Sequence, residues 1–374
     1  MRRKLLIMSI ISLILMSGCW DKEEIEQRLF VTDIGIDLNE EAKGSDVDRL
    51  IVTYQYPNIN AIGKNATEEQ RTYLISTISS SIFQAGREFR NRVPFPFYYK
   101  HVKVLIVGES LLKEEELVRQ ILDELNRDTK TNKKIMILVA EGKARDILQA
   151  NYSEDQHTDG VIYSSVRDNR SSARFTPKTL TDFISDFDIS NTTIVPRIIL
   201  ENGKFKISGG CIIKNYKFLE WVDEKENRVI NFMNGEVNLE TIDVVHNDDL
   251  IIYTIIRGDT KKDAYIENGV KASINVEIEG YLQGYTMNDK KTAYDNKVLL
   301  EMENTIEKEI KAEMEKTIDK LQEINADIIG IGEHMSKFHP RDWEKIQDSW
   351  DNIFPEIEFD VTVNVHIRRT GLTK

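Results

Sequence analysis

Cysteine is nearly absent: Cys19 and Cys211 are the only two in 374 residues. With the Cys19 thiol taken up by the lipid described below, Cys211 has no intrachain partner, so a disulfide framework is excluded and stability must come from packing. Cys211 lies in Lys206-Ile207-Ser208-Gly209-Gly210-Cys211-Ile212-Ile213-Lys214, between apolar neighbours, and reads as a small buried hydrophobe. After residue 16 no apolar run approaches the ~20 residues that a bilayer-spanning helix needs. Positive charge is in deficit, 50 Lys and Arg against 63 Asp and Glu, for a net charge of −13. That balance disfavours broad binding to nucleic acid or to anionic lipid by the globular part.

Chemistry-bearing motifs are missing as well. There is no G-x-S-x-G, no H-E-x-x-H and no Walker loop. Gly330-Ile331-Gly332 is not G-x-G-x-x-G, and it follows a helical pattern instead of joining strand to helix. His334 and His339 form H-x4-H with no nearby cysteine and no carboxylate-bearing helix, so both read as structural and no metal is expected. Acidic pairs are frequent only because the chain is acidic. Catalytic residues and cofactors are therefore both expected to be none.

What the chain does have begins at its first residue. Arg2, Arg3 and Lys4 precede an apolar run from Leu5 to Met16, and Ser17 and Gly18 supply the small residues of a signal-peptidase site. Met16-Ser17-Gly18-Cys19 looks like a bacterial lipobox, with Met16 where Leu is usual. Cleavage between Gly18 and Cys19 would leave Cys19 as residue one, carrying an S-diacylglycerol and an N-acyl chain. The lipid would then be the membrane contact, at roughly 0.8 kcal/mol per buried CH₂.

The remainder is long enough for two or three domains. An α+β, multi-domain fold is expected, with mixed and antiparallel sheets, packed helices and one long helix in the C-terminal domain. Leu29 to Asp37 reads as a strand with Arg49 to Tyr54 as its hairpin partner, and Glu68 to Arg90 as a helix ended by Pro94 and Pro96. His101–Val107 and Ile135–Ala140 are compact apolar runs typical of buried strands, separated by a helix over Leu111 to Leu125. Arg167, Arg170 and Arg174 sit in a serine-rich polar stretch that reads as a solvated loop. Thr176-Pro177 opens a helix, and Asn202-Gly203 marks a hairpin. The segments 205–213, 217–222, 235–245 and 250–257 read as a meander. Lys271–Tyr281 alternates Ile274, Val276 and Ile278 against Asn275, Glu277 and Glu279, the pattern of a half-buried strand. From Asn296 to Ile329 apolar residues recur every three or four positions, a single helix of about 50 Å closed by Gly330 and Gly332. The expected divisions are a leader at 1–18, an N-terminal α/β domain at 19–200, a β-rich domain at 203–262 and an α+β domain at 268–374; 203–374 also reads as one unit.

Several segments in order resemble one family. They are Cys19-Trp20-Asp21 with Glu24-Ile25, Asp33-Ile34-Gly35-Ile36-Asp37, His101 through Glu109, Arg127-Asp128, Thr176-Pro177-Lys178 and Val195-Pro196. The tail adds Ala326-Asp327-Ile328-Ile329-Gly330-Ile331-Gly332, His339-Pro340-Arg341-Asp342-Trp343, Trp350 and Ile367-Arg368-Arg369-Thr370-Gly371. Together they resemble the C subunit of GerA-type spore germinant receptors, the Ger(x)C lipoproteins, with Gly330-Ile331-Gly332 in place of the more usual Gly-Phe-Gly. The resemblance implies a three-domain α+β protein, lipid-anchored at the outer face of the spore inner membrane. It implies work with membrane A and B subunits in the response to small nutrients, and no enzymatic activity.

Trp20, Asp21, Asp327, Gly330, Gly332, Trp343 and Trp350 are the candidate partner-interface or structural residues. Trp343 and Trp350, seven apart, are expected on one helix face, covering the end of the long helix or meeting a partner. Asp327 is expected to hydrogen-bond locally in the Gly-rich turn. Two other readings stand beside a receptor subunit. A solute-binding lipoprotein needs a ligand-sized cleft with converging polar groups, and a cell-wall enzyme lacks its catalytic residues.

Overall fold

A computed structural model describes residues 27–42, 44–58, 72–128, 131–150, 160–167, 173–236, 239–246, 249–285 and 296–369. In chain order the first half runs β1 (Leu29–Phe30), β2 (Asp33–Leu38), β3 (Leu50–Pro57), β4 (Thr72–Ser79), α1 (Ile82–Glu88), β5 (Phe97–Tyr98), β6 (Val104–Gly108), α2 (Glu115–Arg127), β7 (Met136–Ala140), α3 (Ala144–Gln149), α4 (Val161–Arg167) and α5 (Leu180–Ser190). There follow β8 (Thr192–Glu201), β9 (Lys204–Lys214), β10 (Lys217–Val222), α6 (Glu224–Asn234), β11 (Glu240–His246), β12 (Asp249–Ile266) and β13 (Val270–Tyr285). The last part is α7 (Asn296–Glu323), α8 (Ile331–Phe338), α9 (Pro340–Ile346), α10 (Trp350–Ile353) and β14 (Glu358–Arg369).

Eight strands form one sheet in the order β10-β9-β8-β7-β6-β2-β3-β4. Its middle is parallel, β2 on β6, β6 on β7 and β7 on β8, with antiparallel hairpins at both edges. Parallel strands are covered on both faces and so read as unbroken apolar runs. Leu105, Ile137 and Val139 accordingly pack beneath α2 and α5, while Val104, Ile106, Leu138 and Ala140 pack on the opposite face with α3 and α4. Cys211 is fully buried in the first of these cores.

The second sheet has four strands, β11-β12-β13-β14, with β14 returning parallel to β13. Ile274, Val276 and Ile278 face inward from β13, against Met302, Ile306, Ile310, Met314, Ile318 and Leu321 on one stripe of α7. This core also receives Ile194, Ile212 and Val222 from the larger sheet, so the two sheets share a packed boundary.

Several expectations change. The helix over 68–90 is instead β4 followed by α1, with 68–71 outside the described residues. Leu74, Ile75 and Ile78 fit helical spacing, but the hydroxyl-rich Thr72–Ser79 pairs along β3, and Ser81 caps α1 by accepting from the Gln84 N–H. α5 starts at Leu180, not at Pro177, because Thr179 and Asp182 form a capping box while Lys178 stays extended beside β7. The long helix stops at Glu323, about 42 Å long. Asn325 turns left-handed at φ 53°, and the Ala326 N–H reaches back to the Leu321 carbonyl. Gly330 opens the next helix instead of closing this one. The meander is divided, β9 and β10 belonging to the larger sheet and β11 and β12 to the smaller. The β8–β9 turn lies at 202–203 and the β12–β13 turn at 267–269.

Two glycines with left-handed φ separate conformational strain from crowding. Gly203, at φ 76°, tops the β8–β9 turn with open space around it; Gly209, at φ 68°, lies against the Val222 carbonyl where no Cβ fits. Gly203→Ala is expected to cost only the backbone term of about 1–2 kcal/mol. Gly209→Ala should cost clearly more, since β9 must also move off β10. Urea unfolding of the two variants checks this, and equal losses would contradict it.

Candidate functional site

The tail residues converge where α7 gives way to α8. Asp327 is buried in the connecting turn, and its carboxylate takes three donors. Oδ1 accepts from the Ile331 N–H at 2.9 Å; Oδ2 accepts from the Gly332 N–H at 2.7 Å and from Trp350 Nε1 at 3.2 Å. The first two are first-turn amides of α8, which lack partners inside the helix. Gly330 supplies the entry, at φ 70°. Gly332 is small because the indoles of Trp343 and Trp350 lie where a Cβ would come within 3.0 Å of both. The two rings meet edge-on at 5.0 Å. They sit on separate helices, α9 and α10, divided by a short 3-10 turn, so the expectation of one shared helix face is corrected. Five of the sequence-chosen residues thus form one interlocked corner.

Lys262 on β12 closes this corner from the sheet side. Its Nζ donates to the Ile329 carbonyl at 2.6 Å and to Asn234 Oδ1 at 3.1 Å. Burial pushes the Lys262 pKa down, while Asp327, Glu333 and Glu236 pull it back up. Burial likewise raises the Asp327 pKa, against the Gly332 and Ile331 N–H groups, the Trp350 indole and the Lys262 charge. Between this corner and the larger sheet lies a cleft of about 320 Å³, lined among others by Lys178, Asp186, Thr193, Lys262, Asp327 and Glu333. Lys178 pairs with Asp186 at 2.7 Å, and Thr193 also donates to Asp186. The cleft's charges are largely spent on one another.

Gly18, Cys19, Trp20, Asp21 and Arg170 lie outside the described residues. Arg174 pairs with Glu224 at 3.4 Å, and Arg167 packs over the Tyr163 ring. The Asp33–Asp37 motif has a mechanical role that sequence reasoning missed. Asp37 accepts from the Ala144 and Arg145 N–H groups at 2.7 and 3.0 Å, capping α3 from strand β2, and Gly108 leaves room for its carboxylate. The only signal was a polar residue ending an apolar strand. Lys262 was missed too, since nothing local connects it to the tail.

Comparison with known proteins agrees with this architecture. Residues 21–200 match the family described as spore germination protein N-terminal domain, and residues 208–371 match the family spore germination B3/GerAC like, C-terminal. The chain belongs to the GerAC-like spore germination proteins, the Ger(x)C family. It is 28% identical to spore germination protein A3 of Bacillus subtilis (strain 168), over 99% of this chain and 98% of that protein. Spore germination protein YndF of the same organism is 26% identical, over 100% and 98%. A crystal structure of the GerBC protein superposes with a TM-score of 0.60 at 21% identity, covering 90% of this chain and 96% of that one, so the family fold is shared. The family is one of germinant receptor subunits and is not a known enzyme family.

Two outcomes follow for Asp327. Asp327→Ala strands three donors in a buried turn and should lower unfolding free energy by about 3 kcal/mol. Asp342→Ala, which loses only a surface pair with Lys345, should stay within about 0.5 kcal/mol. Urea midpoints compare them, and parity would show that the cap is dispensable. The second outcome concerns pH. An acid with a raised folded pKa contributes stability that is complete below its unfolded pKa and is lost as pH rises through the folded one. From about pH 7 toward about pH 4 the Asp327 contribution therefore grows. Asp327→Asn cannot titrate there, so the stability gap between native chain and variant should widen as pH falls. A gap that narrows would reverse the assigned shift.

Proposed function

We propose that this chain is the lipid-anchored C subunit of a nutrient germinant receptor, working by assembly and signal coupling with membrane A and B subunits and not by catalysis. The observation that carries the reading is the end-to-end match to curated spore germination proteins, both family domains in order and the leader included. The Met16-Ser17-Gly18-Cys19 leader supports tethering through lipid on Cys19. Among the described residues no helix is long and apolar enough to cross a membrane, which fits an anchor placed at the first mature residue. The outer face of the spore inner membrane is the location this reading gives.

Direct nutrient capture is the competing reading, and the 320 Å³ cleft gives it a place. That volume reaches the range of small-ligand sites. Its charged lining is already paired internally, however, so a polar nutrient would have to break the Lys178–Asp186 pair. Calorimetry of the chain against single amino acids and sugars tests it, with micromolar binding favouring capture.

The assembly reading predicts the phenotype of Cys19→Ala in spores that hold no redundant receptor. Nutrient-triggered dipicolinate release should fall to the level of a deletion strain, and the chain should leave the membrane fraction. Release by a receptor-independent trigger should be unchanged. Full nutrient response from a variant found in the soluble fraction would refute the tethering claim.

A further inference from the structure

The two histidines of H-x4-H gain a partner that is distant in sequence. His334 lies in α8 and His339 caps the end of that helix, while Asp263 comes from β12. Asp263 Oδ1 is 3.7 Å from His334 Nε2 and 3.6 Å from His339 Nε2. One ligand atom from each of the three lies within 4.8 Å of the others. These separations exceed the roughly 2.7–3.2 Å of a hydrogen bond. The two carboxylate–imidazole distances come near the ~3.3 Å between neighbouring ligands around a tetrahedral ion with bonds of ~2.0–2.1 Å, and the imidazoles lie within 4.8 Å of each other. A few tenths of an ångström of side-chain closure would bring the carboxylate to both rings.

We propose that Asp263, His334 and His339 form a three-ligand site for a zinc-class divalent cation. Two imidazoles and a carboxylate suit zinc, cobalt or nickel, whereas calcium and magnesium prefer all-oxygen shells. Both histidines are partly buried against the corner, and the Asp263 side chain is 64% exposed, so the remaining coordination position opens to solvent. The His334 ring is held by Phe338, 4.7 Å away, which limits its rotation. The neighbouring Lys262 charge is engaged by the Ile329 carbonyl and Asn234 and is set against Asp327 and Glu333. A bound ion would clamp β12 to the α8–α9 corner, joining the smaller sheet to the helices that carry Trp343 and Trp350.

The test is calorimetric titration of the untagged full chain in detergent with zinc chloride, after removal of metal by chelation. One equivalent should bind at micromolar or tighter Kd, with no response to magnesium or calcium. His334→Gln, His339→Gln and Asp263→Asn should each weaken binding at least tenfold, while His101→Gln and His366→Gln leave it unchanged. Melting curves recorded in chelator confirm that each variant is folded. Cobalt should give the visible absorption of a four- or five-coordinate ion, lost in His339→Gln. No zinc binding at millimolar concentration would overturn the proposal. So would unchanged affinity in the His334→Gln, His339→Gln double variant, which would place the ion elsewhere on the acidic surface.

Discussion

A carboxylate taken out of water must find donors for its oxygens, and Asp327 finds two in the amides that follow it and a third in the distant Trp350 indole. That single requirement fixes much of the C-terminal architecture. The Ile331 and Gly332 amides can reach the carboxylate only if the backbone enters α8 through the left-handed residue Gly330. The Trp350 indole can reach it only if α9 and α10 fold back over α8, and that return leaves no room for a side chain at 332. Lys262 then meets the corner from β12 and brings the sheet into the same network. Acidic, glycine and tryptophan positions scattered over 24 residues are one device, and each depends on the others.

The corner also determines how the two sheets are joined. Lys214, at the end of β9, donates to the Asn325 carbonyl at 2.6 Å and pairs with Asp351 at 2.7 Å. Lys320 on α7 reaches the Trp221 carbonyl and Glu226, and Arg228 pairs with Glu313 at 2.6 Å. These ties connect β9, β10 and α6 to the long helix and to the segments that follow it, beside the apolar contacts of Ile194, Ile212 and Val222. Partly exposed ion pairs of this kind contribute only about 0–1 kcal/mol each. They therefore fix register more than they add strength.

How much of this was legible depended on whether the signal was local. The unbroken apolar runs at 104–108 and 136–140, the alternation through Ile274, Val276 and Ile278, and the stripe from Met302 to Leu321 each announced their element directly. Thr72–Ser79 did not, because Leu74, Ile75 and Ile78 satisfy helix and strand spacing alike and the β3 partner decides. Asn325 carried a stop signal that the periodic Ile324 and Ile328 obscured. Within the site, Asp327, Gly330, Gly332, Trp343 and Trp350 were chosen as a group through family resemblance, and a local hydrogen-bonding role for Asp327 was the reading from the residue itself. That Trp343 and Trp350 occupy two helices was not readable from a spacing of seven. Lys262 lies some 65 residues from the turn it serves, and only the pairing of β12 with β13, and of β13 with β14, places it there.

The same accounting bears on whether the cleft between the sheets could hold a small polar ligand. A capture site offers unpaired or weakly paired polar groups, because the ligand must repay what is lost when water leaves. The cleft between the sheets offers Lys178 already on Asp186, Thr193 already on Asp186, and Lys262 already on a carbonyl and an amide. A zwitterionic ligand entering it would break as many charge-assisted contacts as it made, and its net affinity would rest on little else. The half-buried tryptophan pair over α8 is differently placed, since a partner can cover aromatic surface there without disturbing the Asp327 network beneath. Polar groups satisfied within, and aromatic edges left partly open without, divide the corner into a closed polar core and an open aromatic face.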